Sequence, residues 1–328
     1  MSQAVIETVL SKHPREADRA NAALREGAPR WLHRWAIFTV VATIRLLGLG
    51  SAVTTFNAGM ADRVWPTAPT ALLSASGEQL EDVRFVIEHS HRLAGYIVGT
   101  CAIVLAGWLW LLERRRWLAW LGVAALVGVS VQGVIGGFRV LEDVRWGLEL
   151  RILHGSFAQI VLAVLVSVAV FTSPSWMAGT TCQESGRLRR SARWALALVY
   201  VQIVFGVLLR HTYCPMAQRL HLLTAFAALA AVIWLVKVIW EQDDRALRIS
   251  AMFLICAVGV QLLLGVEAWM TQLGAGTVPE LLPITARRVV VRTAHVLGGS
   301  LLLAATVTTV LLTHRQTTAM SEQPEAAA

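Results

Sequence analysis

Four of the nine histidines recur in one setting. His91, His154, His221 and His295 each stand near the start of a long apolar run: Leu93 to Leu112, Gly155 to Phe171, Leu222 to Val236 and Val296 to Leu312. An ionisable ring inside an apolar segment is costly and is usually kept for function. One such histidine is most simply a hydrogen-bonding residue between helices. Four in corresponding places ask for a shared chemistry. Imidazole suits iron, and haem iron takes axial histidines. The pairs His91–His154 and His221–His295 therefore predict two bis-histidine haem sites. Zinc or copper fits less well, because Cys and carboxylate ligands are missing beside most of these positions.

Arginines accompany the histidines. Arg92 follows His91, Arg151 precedes His154 by three residues, Arg219 precedes His221 by two, and Arg292 precedes His295 by three. Haem carries two propionates, and a guanidinium binds carboxylates through paired donors. Each arginine taken singly reads as well as a side chain reaching for lipid headgroups. Their recurrence beside all four rings favours propionates. Glu88 lies three residues before His91, on the same helical face. It reads either as a proton acceptor beside the first site or as a rim carboxylate paired with Arg84 or Arg92. Its counterpart before His221 is Gln218, so the acid is confined to the first half.

These residues need elements that hold them at one depth. Of 328 residues, 56% are hydrophobic and 15% charged, against about 25% charged in a soluble domain. Eight apolar runs approach the ~20 residues of a spanning helix: about 35–56, 85–112, 117–138, 150–172, 194–209, 220–240, 249–270 and 291–312. The fold class expected is an all-α membrane protein, its eight transmembrane helices forming two pseudo-symmetric four-helix bundles. The segments are a tail, 1–34; a first bundle, 35–172; a linker, 173–193; a second bundle, 194–313; and a tail, 314–328. Facing helices of such a bundle can build a cofactor site in its core. Gln132-x-x-x-Gly136, Gln202-x-x-x-Gly206 and Gln261-x-x-x-Gly265 mark the duplication. By themselves they read as helix packing, with small residues for close approach and Gln for hydrogen bonds across helices. Arg45 lies midway through the first helix, where a place facing the bundle interior would account for it.

The net charge of +8 could point to nucleic acid, but its distribution argues for a membrane and against nucleic acid. Basic residues fill the N-terminal tail and alternate loops: Arg114 to Arg116, Arg187 to Arg193, and Lys237, Arg245 and Arg248. The positive-inside rule then puts both termini in the cytoplasm and all four histidines near the outer face. Glu7, Glu16, Asp18 and Glu26 make the tail too acidic for a mitochondrial transit peptide, which leaves a bacterial plasma membrane. Of the four cysteines, only Cys214 would face outward, so no intramolecular disulfide is expected.

At these residues the chain resembles the haem A synthase family. Glu88-His89-Ser90-His91-Arg92-Leu93 is similar to its Glu-x-x-His-Arg motif, Gly133 to Val140 to the end of its third helix, and His154-Gly155-Ser156-Phe157-Ala158-Gln159 to its His-x-x-x-Ala-Gln. The loop from Val53-Thr54-Thr55 through Ala58-Gly59-Met60-Ala61 to Trp65-Pro66 resembles the family's first outer loop. Leu209-Arg210-His211-Thr212 with Cys214-Pro215 resembles a shortened copy of it. Arg63-Val64 stands where the family has Pro-Asp, and the outer cysteine pairs of some members are absent.

The resemblance implies oxidation of the C8 methyl of haem O to the formyl group of haem A, with water as the oxygen source. It implies that His91 and His154 contact the substrate haem, with Arg92 and Arg151 beside it and Glu88 as the catalytic acid. His221 and His295 would ligate haem b, with Arg219 and Arg292 at its propionates. Haem O synthase and terminal oxidase subunits are the partners it points to, besides membrane lipid. Two other readings use the same histidines: a dihaem b-type cytochrome that only carries electrons, and a haem-handling assembly protein. The topology has a direct test. A cysteine introduced at Ser76 should react with an impermeant thiol reagent from outside, and one at Ser185 should not; the reverse pattern would invert the depth of all four histidines.

Overall fold

The computed structural model describes residues 29–177, 186–272 and 283–318. All regular structure among them is helical. Eight helices are long and apolar enough to cross a membrane, as the sequence predicts: α1 (Arg30–Thr55), α2 (Val83–Leu112), α3 (Arg116–Leu141), α4 (Asp143–Phe171), α5 (Gly186–Thr212), α6 (Pro215–Trp240), α7 (Arg245–Gln272) and α8 (Ala286–Thr318). Two short helical turns, Gly77–Glu81 and Pro174–Met177, lie in the connections.

The helices run beyond the apolar segments read from the sequence. α5 begins at Gly186, inside the stretch expected as linker, and α8 runs past 313 into the stretch expected as tail. Hydropathy finds only the part of a helix that must sit in hydrocarbon. Arginines such as Arg187, Arg190 and Arg193 extend it in good helix-forming sequence while their heads reach the polar zone. Cys182 and the rest of 178–185, most of the 1–34 tail, and 273–282 lie outside the described residues.

Helices α1 to α4 pack in a ring, each on the next and α4 back on α1; α5 to α8 repeat the pattern. Residues of even-numbered helices thus meet across the ring, which is how His91 on α2 can face His154 on α4. The two rings join where α4 packs on α5 and α8, and α1 on α8. One apolar cluster, with Leu105, Leu109, Leu118 and Leu165, fills the first ring away from the histidines. A second, with Leu188, Leu235, Leu254 and Leu303, fills the other ring and takes in Leu162 of α4. The apolar plugs occupy the end opposite the histidines. Tryptophans flank that same end: Trp31 and Trp35 pack on Trp108, Trp110 on Trp120, and Trp117 and Trp176 on Phe171. This is the amphipathic girdle expected of helices that end in headgroups.

Arg45 corrects an expectation. Its side chain is exposed on the outer surface of α1 and does not face the interior. A guanidinium at the middle of a spanning helix costs about 3 kcal/mol on insertion scales, and nothing in the described structure explains its presence.

Candidate functional site

Each of the four histidines rests on a glycine of the preceding helix. A Cβ placed on Gly50 of α1 would come within 3.1 Å of Cε1 of His91. On Gly136 of α3 it would lie 3.0 Å from His154, on Gly206 of α5 2.9 Å from His221, and on Gly265 of α7 3.2 Å from His295. Any side chain at these positions would push the ring away. The fourfold recurrence makes the glycines seats for the imidazoles. Gly133, one turn from Gly136, has nothing within 4 Å, so small residues on these helices are not all seats.

The residue four before each seat lies one turn away on the same face. His221 donates from Nδ1 to the carbonyl of Gln202, 3.2 Å away. The Gln132 side-chain amide donates to Nδ1 of His154 at 3.0 Å, with the Gln132 carbonyl also beside the ring. His91 and His295 face those of Leu46 and Gln261, although neither Nδ1 closes a hydrogen bond of normal geometry. For His221 the carbonyl sets the tautomer with Nε2 as the acceptor nitrogen, the one a metal would take, and that nitrogen meets the Gln202 side-chain amide at 3.4 Å. The Gln side chains clasp the partner helix. The Gln132 amide donates to the His154 carbonyl at 2.9 Å, Thr224 donates to Gln202, and Gln261 lies against Gly298 and Gly299. The packing role read for Gln-x-x-x-Gly is therefore real, and a ligand-positioning role is added to it. The fourth copy, Leu46-x-x-x-Gly50, escapes a search for Gln, and only the glycine signals it.

His221 and His295 present their rings to each other with centroids 6.3 Å apart and planes at 88°. Two imidazole–metal bonds of about 2 Å each, plus roughly 1 Å from each ring centre to its nitrogen, span about that distance. His91 and His154 are close enough to act on one another electrostatically. All four rings are enclosed by protein yet keep accessible surface, so they line gaps between helices. Among the described residues no three His, Cys, Asp or Glu side chains come together as a metal site. The donor set is two imidazoles per gap, which fits a metal whose other ligands come with it, as in haem.

The arginines sort differently from the sequence expectation. Arg92 is committed to the first loop: it donates to the carbonyls of Asp62 (2.6 Å) and Val64 (2.7 Å), and to Oε1 of Glu88 (2.7 Å). Arg219 is exposed. Arg292 is buried, with Nη2 3.5 Å from the Tyr213 hydroxyl. Arg151 donates to the Gly147 carbonyl at 2.8 Å and lines a cavity of about 430 Å³ with Arg63, Arg84, Arg139 and Asp143. Sequence reading missed Arg139, Arg210 and His211. Arg139 follows the Gly136 seat by three residues and Arg210 the Gly206 seat by four, so each lies one turn on along the seat face. His211 lies within the electrostatic reach of Arg210, Arg151, Arg139 and Arg292.

Glu88 is buried. One oxygen takes the Arg92 guanidinium, and the other accepts the Asp62 backbone N–H at 2.9 Å. This is the Arg92 pairing that the sequence offered beside the catalytic reading. Next to it, His89 is buried, stacks on Phe85 at 3.9 Å and meets Asp62 Oδ2 at 3.3 Å. Trp65 packs on Gly137 and the Arg139 guanidinium on Gly59, so the loop folds back over the mouth of the first ring. Of the cysteines, Cys101 is buried and Cys214 and Cys256 are exposed, all three free.

The chain is similar to known proteins over much of its length. The model of the cytochrome oxidase assembly protein family matches residues 3–166 and 78–218. A haem A synthase of Geobacillus kaustophilus (strain HTA426) is 26% identical over 57% of this chain and 59% of its own length. One of Lysinibacillus sphaericus (strain C3-41) is 25% identical over 74% of this chain and 87% of its own. One of Methylorubrum extorquens (strain PA1) is 35% identical over 36% of this chain and 32% of its own. The chain thus spans less than two thirds of the length of the first of these relatives.

The seats can be tested apart from any activity. Gly206→Val should displace His221 and abolish low-spin bis-histidine absorption in the purified protein, with an overpacking cost of about 1–3 kcal/mol. Gly133→Ala should leave both spectrum and stability unchanged. A normal spectrum from Gly206→Val would show that the close approach does not matter.

Proposed function

We propose, from the premise that this chain belongs to the cytochrome oxidase assembly protein family and to the haem A synthases within it, that it oxidises the C8 methyl of haem O to the formyl group of haem A. The observation that carries this reading is the pair His221 and His295, with ring centroids 6.3 Å apart and planes at 88°, close to the span of two imidazole–metal bonds. The first ring repeats the same seats and adds a buried carboxylate, Glu88.

The second ring, 194–313, is the natural place for a resident haem b, which when bound supplies one-electron redox capacity. His221 and His295 would hold it, and Arg292 would neutralise a propionate. The first ring, 35–172, would take the substrate haem between His91 and His154, with Arg139 and Arg151 toward its propionates. Methyl to formyl with water as oxygen source releases four protons and four electrons. Glu88 is suited to receive or steer protons because Arg92 and the Asp62 N–H fix both its oxygens in position. The adjoining His89–Asp62 pair offers the next acceptor toward the loop surface, where Asp62 is partly exposed. Arg92 acts here by orienting Glu88 and closing the loop more than by meeting a propionate. The alternation of basic loops supports a bacterial plasma membrane with both termini cytoplasmic. Terminal oxidase subunits are partners that membership of an oxidase assembly family supports, and haem O synthase is the partner that a haem O substrate would call for.

A dihaem b-type cytochrome is the second reading, favoured by one observation: the seats are alike in both rings. Glu88, with Gln218 in its place in the second half, speaks for an asymmetric pair.

One set of variants separates the two. His221→Ala or His295→Ala should remove the stable b-type spectrum, whereas His91→Ala should leave most of it. Glu88→Gln should fold, keep both haems and lose about 10²–10⁴-fold in haem A formation, the usual range for acid–base help. Pigment extraction after co-expression with a haem O source reads the outcome. Haem A at the wild-type level from Glu88→Gln would remove its catalytic role, and no haem A from wild type would favour the electron carrier.

A further inference from the structure

Arg210 sits at the end of α5 but makes its contacts in the other half of the molecule. Its Nη2 donates to the backbone carbonyl of Ser51 (2.7 Å), the Ser51 hydroxyl (3.2 Å) and the Thr55 hydroxyl (3.2 Å), all on α1. Its Nε is buried without a hydrogen-bond partner. No carboxylate forms an ion pair with it among the described residues. The side chain is enclosed by protein yet keeps accessible surface, so it lines an internal gap, as the four histidines do. Arg210 lies one turn beyond Gly206, the seat of His221, on the same face of α5, which puts it on the side of the second histidine pair. A guanidinium in apolar surroundings with an unused N–H edge costs several kcal/mol unless an anion meets it. Arg292, buried and likewise without a carboxylate ion pair among the described residues, adds a second cation nearby.

On the reading that the second ring holds a haem, we propose that Arg210 is a positioning residue that binds a carboxylate of that haem through its unused N–H edge while Nη2 stays latched to α1. The latch has a second consequence. Ser51 is the neighbour of Gly50, the seat of His91, so one side chain joins the anionic edge of the second site to the backbone under a ligand of the first. Any shift of α1 on filling the first site is felt at the carboxylate of the second. The side chain that tunes the electron-accepting haem is thus anchored in the half that holds the substrate.

The test measures the midpoint potential of the b-type haem in full-length protein purified in detergent, with haem retention and thermal stability beside it. A cation at a propionate favours the reduced, less positive haem. Arg210→Gln should therefore keep the bis-histidine spectrum, shift the midpoint downward and lose haem faster under dilution. Arg210→Lys should retain most of the midpoint, because the charge remains. The decisive variant is Ser51→Ala combined with Thr55→Val, which alters only the first half. It should move the second-half midpoint in the same direction by a smaller amount. A latch that merely holds the rings together would lower thermal stability and leave the midpoint where it was, and that result overturns the proposal, as does an unchanged midpoint in Arg210→Gln. Wild-type protein that carries no b-type haem would overturn the haem reading of the second ring and this proposal with it. A normal wild-type spectrum with unresponsive variants would overturn the proposal alone.

Discussion

An imidazole ring lying against a backbone that has no Cβ is the contact on which the site end of this molecule depends. A ring inside a membrane protein must have its nitrogens satisfied and its position fixed, and a glycine on the neighbouring helix allows both. The helix axes come close enough for the ring to lie between them, and a backbone carbonyl one turn along comes within reach of Nδ1. Four such contacts fix the separation and tilt of two facing pairs. The apolar plugs at the opposite end make the helices rigid enough to keep them.

Charge follows from that arrangement. Cations gather where the gaps open toward the loops, with Arg139 and Arg151 on one side and Arg210 and Arg292 on the other, and His211 lies among them. Such a group is unfavourable by itself. It is favourable around ligands that bring several carboxylates into a confined space. Acidic side chains at this end are mostly engaged with the loop: Glu88 and Asp62 with Arg92, and Asp82 with Arg84. The loop is held by its own ion pairs, so the inner arginines are left for what the gaps contain.

Much of this was legible in the sequence, and what was not has physical reasons. Eight apolar runs give eight helices because hydrocarbon admits little else. The histidines stood out because ionisable residues are rare in such runs. The turns of α5 and α8 beyond the apolar runs carry no hydropathy signal, since they lie outside hydrocarbon. Arg219 stands out in the sequence by its nearness to His221, and Arg210 has no such signal. The helix rotation turns Arg219 outward, while Arg210, on another helix, points in. Neighbours along the chain are poor guides to neighbours in a bundle, where most contacts cross between helices. Glycine seats were half visible: the repeat was seen, but a missing side chain does not announce which ring will fill its place.

The four clasps are not equal. Gln132 and Gln202 each hydrogen-bond the facing helix through the side-chain amide, Gln261 only lies against Gly298 and Gly299, and the same position on α1 is Leu46. A leucine gives packing and no polar contact, so the junction carrying His91 is the one of the four without a side-chain amide. A resident group is best gripped from both sides. A passing one must dissociate after each turnover, and a door needs one hinge that is not bolted.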